Sequence, residues 1–281
     1  MTRRSPLGTR AGLALAGAAA GRLALAGAAA VMASGRGRPW RRTNYAGRPV
    51  TLLGGPALAL SATATGVLGV PAGLRGATAV VGAVSGLVGG YDDLAGARPE
   101  QAGDKGLAGH LRALRAGRVS AGAVKVAGIG AAGAAAAVLT RGSGRGALAD
   151  AVLTTGLVAG TANLVNLLDL RPGRAGKAGV LAAAAGLGGP AGPLVAGPLG
   201  ATLAVLPADL GERVMLGDSG ANALGALLGL RLAAAPSRTR RTGLLAGIVA
   251  LTLASEKVSF TKVIEATPVL RDLDRLGRRT S

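Results

Sequence analysis

GLRGATAVVGAVSGLVGGYDDLAG, residues 73–96, is the stretch on which the fold turns. Between Arg75 and Tyr91 it carries no charge, and then two aspartates arrive together. A run of about 20 apolar residues is the length needed to cross a bilayer core, and charge just past its end marks the return to water. The same pattern recurs downstream. ALADAVLTTGLVAGTANLVNLLD (147–169) closes on an aspartate, and GDSGANALGALLGLRLA (217–233) opens on one.

Scanning outward with this template gives nine apolar runs, near 11–34, 50–70, 73–91, 119–139, 147–168, 178–189, 191–210, 219–235 and 242–256. Gly188, Gly189 and Pro190 separate the sixth from the seventh, so these two read as a hairpin or as one broken helix. The expected fold is an all-α integral membrane protein, a polytopic bundle of about nine transmembrane helices. It forms a single transmembrane domain over 1–281, with a basic amphipathic tail at 257–281. Composition agrees. Mean hydropathy is +0.44 and only 16% of the 281 residues are charged, against about a quarter in soluble domains.

The formal net charge of +19 raises the question of nucleic acid, but the chain holds one Trp, one Phe and two Tyr. Base-stacking platforms are therefore missing, and no nucleic-acid partner is expected. Basic loops against anionic lipid headgroups account for the charge. Absence of cysteine excludes disulfide and thiol chemistry, and a lone His110 excludes a multi-histidine metal site.

Orientation follows from the loops. With the N-terminus outside, the cytoplasmic segments hold 20 Lys or Arg and the external ones 9. Arg3, Arg4 and Arg10 before an apolar run also resemble a signal peptide, with an A-x-A pattern near 18–20. The later runs exclude a secreted product. Arg22, inside the near-repeat GLALAGAAA/GRLALAGAAA, needs a polar partner or an interface, because charge at a bilayer centre costs about 2.5–3.5 kcal/mol.

In this topology Asp92, Asp93, Asp169 and Asp218 all return to the cytoplasmic face. Carboxylates with Asn are hard oxygen ligands, which suit Mg²⁺ held together with phosphates. Each also has a plainer reading. Asp218 before small residues reads as a helix cap, and Asn163 and Asn166, three apart and in line with Asp169, fit interhelical hydrogen bonding as well as a polar cavity. The adjacent pair Asp92–Asp93 is harder to explain without a compensating cation.

Four segments in order resemble a known family. RTNYAGRPVTLLGG (42–55), YDDLAG (91–96), NLVNLLD (163–169) and MLGDSGANALG (215–225) resemble the motifs of the polyprenyl-phosphate N-acetylhexosamine-1-phosphate transferases. The likeness covers a catalytic-like region of about 40–256. It implies an enzyme of the plasma membrane that transfers a phosphosugar from a UDP-sugar to a polyprenyl phosphate lipid, with Mg²⁺, in cell-envelope polysaccharide or peptidoglycan synthesis. It implies Asp218 and Asp169 as metal ligands, Asp92, Asp93 and Asp169 as catalytic, and Asn163, Asn166, Arg48 and Lys105 as substrate-binding. Lys125 is a weaker phosphate candidate that reads more simply as a snorkelling residue near a helix end. A homodimer is one state open to such a protein.

Three positions depart from the family pattern. Pro172 replaces the second Asp of the Asn/Asp motif, Met215 stands where many members carry an aromatic, and no histidine follows His110. The metal side reads as kept and the donor-sugar side as altered. The alternative expectation is therefore a catalytically inactive homologue serving as a membrane partner or regulator of envelope synthesis. A transporter is a third reading, without an inverted repeat to support it.

Overall fold

The computed structural model describes residues 6–96, 109, 112, 113, 115–140, 144 and 146–279. Each of the nine apolar runs is helical: α1 (Pro6–Ala33), α2 (Gly54–Gly69), α3 (Ala72–Ala95), α4 (Ala121–Thr140), α5 (Ala147–Leu168), α6 (Arg174–Ala185), α7 (Pro193–Leu210), α8 (Gly217–Ala233) and α9 (Arg238–Lys257). Two short helices follow, α10 (Phe260–Ala266) and α11 (Pro268–Arg275). Five helices (α1, α3, α4, α5 and α7) are long and apolar enough to cross a membrane, and the bent pair α9–α10 would make a sixth. The count of nine spans is not reached among the described residues, and length is one reason. At 1.5 Å per residue the 12 residues of α6 span about 18 Å, well short of a hydrocarbon core of about 30 Å. Residues 186–192 turn the chain between α6 and α7, with Gly189 at φ +69, so the two form a hairpin rather than one broken helix.

Helix α8 is the centre of the bundle. Every residue from Ser219 to Leu230 is buried, and the helix packs against α2, α3 and α5. It has no polar face because it has no solvent side, and its small residues let neighbours approach from all directions. Three buried hydroxyls in the packed helices turn back on their own backbone. Ser61 donates to the Ala57 carbonyl at 2.7 Å, Thr65 to Ser61 at 2.7 Å and Thr202 to Pro198 at 2.8 Å. In an apolar surrounding this satisfies each group within its own helix. The repeat in α1 has a packing role: Gly17 and Gly21 lie against the backbone of α7 at Gly197 and Ala201. Arg22, next to them, is exposed on the outer side.

The segment 38–51, expected as a loop up to 49 and as the start of an apolar run from 50, folds into a 3₁₀ turn and an antiparallel ribbon, β1 (Arg41–Thr43) with β2 (Pro49–Thr51). Asn44 shapes its turn by accepting from the N–H of Ala46 and of Arg48, both at 2.9 Å. The ribbon is tied to the α7–α8 connection through a parallel bridge between Thr51 and Val214.

The tail does not hang free. Helix α9 bends by 93° into α10, and α11 returns to the start of α6. Arg174 grips Asp274 through two bonds of 2.8 and 3.1 Å and donates to Thr261 at 2.9 Å. Arg278 holds the Pro172 carbonyl at 2.9 Å. The polar side of α11 faces the protein, while Val269, Leu270 and Leu273 stay exposed. That is the arrangement of a helix lying at a membrane surface. Burial alone would raise the Asp274 pKa, but the bonds and charges of Arg174, with Arg278 and Lys177, outweigh it and hold the carboxyl below the ordinary value. A depressed folded-state pKa stabilises docking above the unfolded value and loses that contribution as pH falls below about 4. Spin labels on α6 and α11 should therefore report a fixed distance at neutral pH and a broadened, longer one on acidification.

Candidate active site at the acidic end of the bundle

Helix directions place the four aspartates at one end. Asp92 and Asp93 sit in the last turn of α3, Asp169 follows the last residue of α5, and Asp218 lies in the first turn of α8. Three of the four motif segments meet here by direct contact. The glycine pair of TLLGG lets α2 approach the start of α8: a Cβ on Gly55 would stand 2.9 Å from the Gly220 nitrogen and closer still to the Leu216 carbonyl. The pair in GGYDD does the same for α3, where a Cβ on Gly89 would stand 2.8 Å from the Ser219 nitrogen and closer to the Asp218 carbonyl. Ser219 seals the crossing by donating to the Gly86 carbonyl at 2.9 Å.

That approach fixes the role of Asp93. Its two carboxylate oxygens accept from the N–H of Asp218 at 2.9 Å and of Ser219 at 3.0 Å. These are orphan donors at the start of α8, so Asp93 caps that helix from another helix and sits at the positive end of its dipole. Gly217 lies beneath it with φ +55, and a Cβ there would come within 2.8 Å of the carboxylate. Arg42 of the ribbon donates to the Asp93 carbonyl.

Asp92 and Asp218 share one cation. The Lys125 ammonium, one turn into α4, pairs with Asp92 at 2.6 Å and with Asp218. Lys125 is mostly buried, with 16% of its side chain exposed. It is therefore not a snorkelling residue: its charge is used inside the protein. Asp169 is half-buried beside the Gly217 backbone. Desolvation first, and then the charges of Asp209, Asp218 and Asp93, push its carboxyl well above the ordinary carboxylate range. Asp92, Asp93, Asp169 and Asp218 thus form one electrostatic cluster with Lys125.

The other expected residues are less central. Arg48 pairs with Glu212 at 3.1 Å, and the Asn44 amide donates to the same carboxylate at 2.5 Å. That carboxylate is buried, and Glu212 adopts a left-handed φ of +53, a strained conformation for a residue with a Cβ. Asn163 is exposed and Asn166 half-buried. Lys105 lies outside the described residues. Two buried acids went unread in the sequence, Glu212 and Asp209, the latter accepting from the Gly173 N–H at 3.0 Å. Arg171 stacks over the Tyr45 ring at 4.3 Å and brings the Asp169 loop against the ribbon.

Among the described residues no three Asp, Glu, His or Cys side chains are grouped as a ready metal site. The donor chemistry nevertheless fits a hard cation. Asp92 and Asp218 converge on one positive charge, which is now the Lys125 ammonium. Lys125→Met should leave those two carboxylates uncompensated and cost about 3 kcal/mol. Thermal unfolding in neutral detergent should show the loss, and added Mg²⁺ should recover more of it in the variant than it adds to the parent. Compared with known proteins, the chain matches no family model and no curated sequence.

Proposed function

We propose that the acidic end is the site of a phosphosugar transferase acting at the cytoplasmic face of the plasma membrane. In this reading a polyprenyl phosphate oxygen attacks the β-phosphorus of a UDP-sugar. The new P–O bond gives a lipid-linked diphosphosugar, and the broken Pα–O–Pβ bridge leaves with UMP. The observation that carries it is the meeting of three separate motif segments at the first turn of α8, with Asp92 and Asp218 turned toward one cation.

The chain's own residues then have distinct tasks. Asp93 holds the first turn of α8 in place and so sets the position of Asp218. Asp92 lies within reach of an incoming lipid phosphate at the end of α3. Lys125, released from the carboxylates, can swing toward a phosphate and offset charge building up during transfer. Asp169, desolvated and set beside the charges of Asp209, Asp218 and Asp93, is the fourth carboxylate of the cluster. Asp218 and Asp169 would hold Mg²⁺, which would supply positive charge to offset that of the diphosphate. An N-terminus outside and a role in envelope polysaccharide or peptidoglycan synthesis belong to the same proposal.

Purified protein given Mg²⁺, undecaprenyl phosphate and a panel of UDP-sugars should release UMP with at least one donor. Failure with every donor, from a folded sample, would overturn catalysis. One observation favours a second reading in that event: Lys125 already neutralises the two carboxylates, and a permanent internal ion pair is what an inactive homologue serving as a membrane partner would retain.

A further inference from the structure

The opposite end of the bundle carries a second site that requires nothing of the first. Leu74 and Asp92 lie 18 positions apart on α3, which at 1.5 Å per residue separates the two ends by about 27 Å. Here the ends of α2, α4, α6 and α8 and the starts of α3, α5, α7 and α9 enclose a cavity of about 980 Å³. One wall is apolar, with Ala77, Ala137, Leu194 and Leu230 buried and Leu74 partly exposed. Arg231, Arg240 and Arg241 line it as well.

The charge balance is lopsided. Arg10 and Arg238 stand beside the three lining arginines, and Asp150 is the one acid facing them among the described residues. Asp150 is fully engaged, bound by Arg238 at 2.9 and 3.1 Å and by Arg241 at 2.8 Å. Arg231 is held instead by the Gly186 and Gly188 carbonyls, at 2.8 and 2.7 Å, while Arg10 and Arg240 lie close enough to repel it. Two buried guanidinium N–H groups, the Nε of Arg10 and of Arg241, have no hydrogen-bond partner. Cations held near one another, two of them with a buried and unused donor, are a site waiting for an anion.

We propose that this cavity binds an anionic phospholipid, with the phosphate at the arginines of α8 and α9 and an acyl chain along the apolar wall. Size and lining select a lipid over a free anion. The cavity is far larger than one phosphate and falls in the range of ligands of several dozen atoms. A cavity at the end of membrane-length helices also stands at headgroup depth.

The experiment uses the full chain, stripped of lipid in a neutral detergent. Native mass spectrometry reads adducts after addition of phosphatidylglycerol, phosphatidylcholine or inorganic phosphate alone. Phosphatidylglycerol should be retained, and the other two should not. Arg240 is exposed and pairs with no acid among the described residues, so its variants should fold. Arg240→Gln should weaken retention about tenfold, the effect of one charge-assisted contact, and Arg240→Glu should abolish it. Arg271→Gln, on α11 at the other end, should leave it unchanged. Equal retention of phosphatidylcholine, tight binding of phosphate alone, no adduct at all, no loss in the Arg240 variants, or an equal loss in Arg271→Gln would each overturn the proposal.

Discussion

Asp218→Asn is expected to lower UMP release roughly a hundred- to a thousandfold, with the protein still folded. Asparagine keeps the size of the side chain and one oxygen, so the packing of the first turn of α8 survives. What disappears is a negative charge aimed at the shared cation. Groups placed to stabilise charge during transfer contribute about 3–4 kcal/mol each in comparable deletions, which is the source of the expected factor. Asp93→Asn should behave differently. It removes an acceptor from the α8 cap, so its thermal midpoint should fall along with its rate. The two variants together separate chemistry from support. Equal loss of stability in both would deny Asp218 a separate chemical role.

Gly89→Ala should be strongly damaging for a single added methyl group. The added Cβ meets backbone atoms of Asp218 and Ser219 rather than a flexible side-chain tip. One helix would have to move away from the other, and with it the crossing that holds Asp93 against α8. Overpacking of this kind costs about 3 kcal/mol, enough to consume a large part of ordinary folding stability. Gly130→Ala is the control. It is also a mid-helix glycine, but nothing stands within 4 Å of its added Cβ, so improved helix propensity should leave the protein unchanged or stabilised by up to about 1 kcal/mol. Unfolding in neutral detergent distinguishes the two. Comparable midpoints would mean that α3 and α8 do not cross as closely as described.

The helices were legible in the sequence because lipid-length apolar runs leave a long local signal. The positions of Asp92, Asp93, Asp169 and Asp218 were legible for the same reason, since a residue at the end of a run must emerge at one face or the other. Pairings between distant segments were not legible. Lys125 read as a solitary charge near a helix end because its partners, Asp92 and Asp218, lie on other helices. Asp93 read as half of a repelling pair, and its hydrogen bonds to the first turn of α8 leave no trace in local spacing. Glu212 and Asp209 sit in stretches that look like ordinary loop and helix end. Their burial is created by the ribbon and by the turn before α6. The sixth apolar run, 178–189, was already short in the sequence, and α6 is no longer, with 12 residues; apolar runs do not reveal that α9 turns sharply at its end.

The position of α8 in the chain bears on biogenesis. Its three principal neighbours, α2, α3 and α5, leave the ribosome before it does, so they must wait in the bilayer around a slot that nothing yet fills. Until the eighth helix inserts, Asp93 has no amide ends to hold, and Lys125 can meet Asp92 but not Asp218. The acidic end is completed by one late threading event. A nascent chain stalled shortly before residue 217 would carry all its earlier helices and still lack the site.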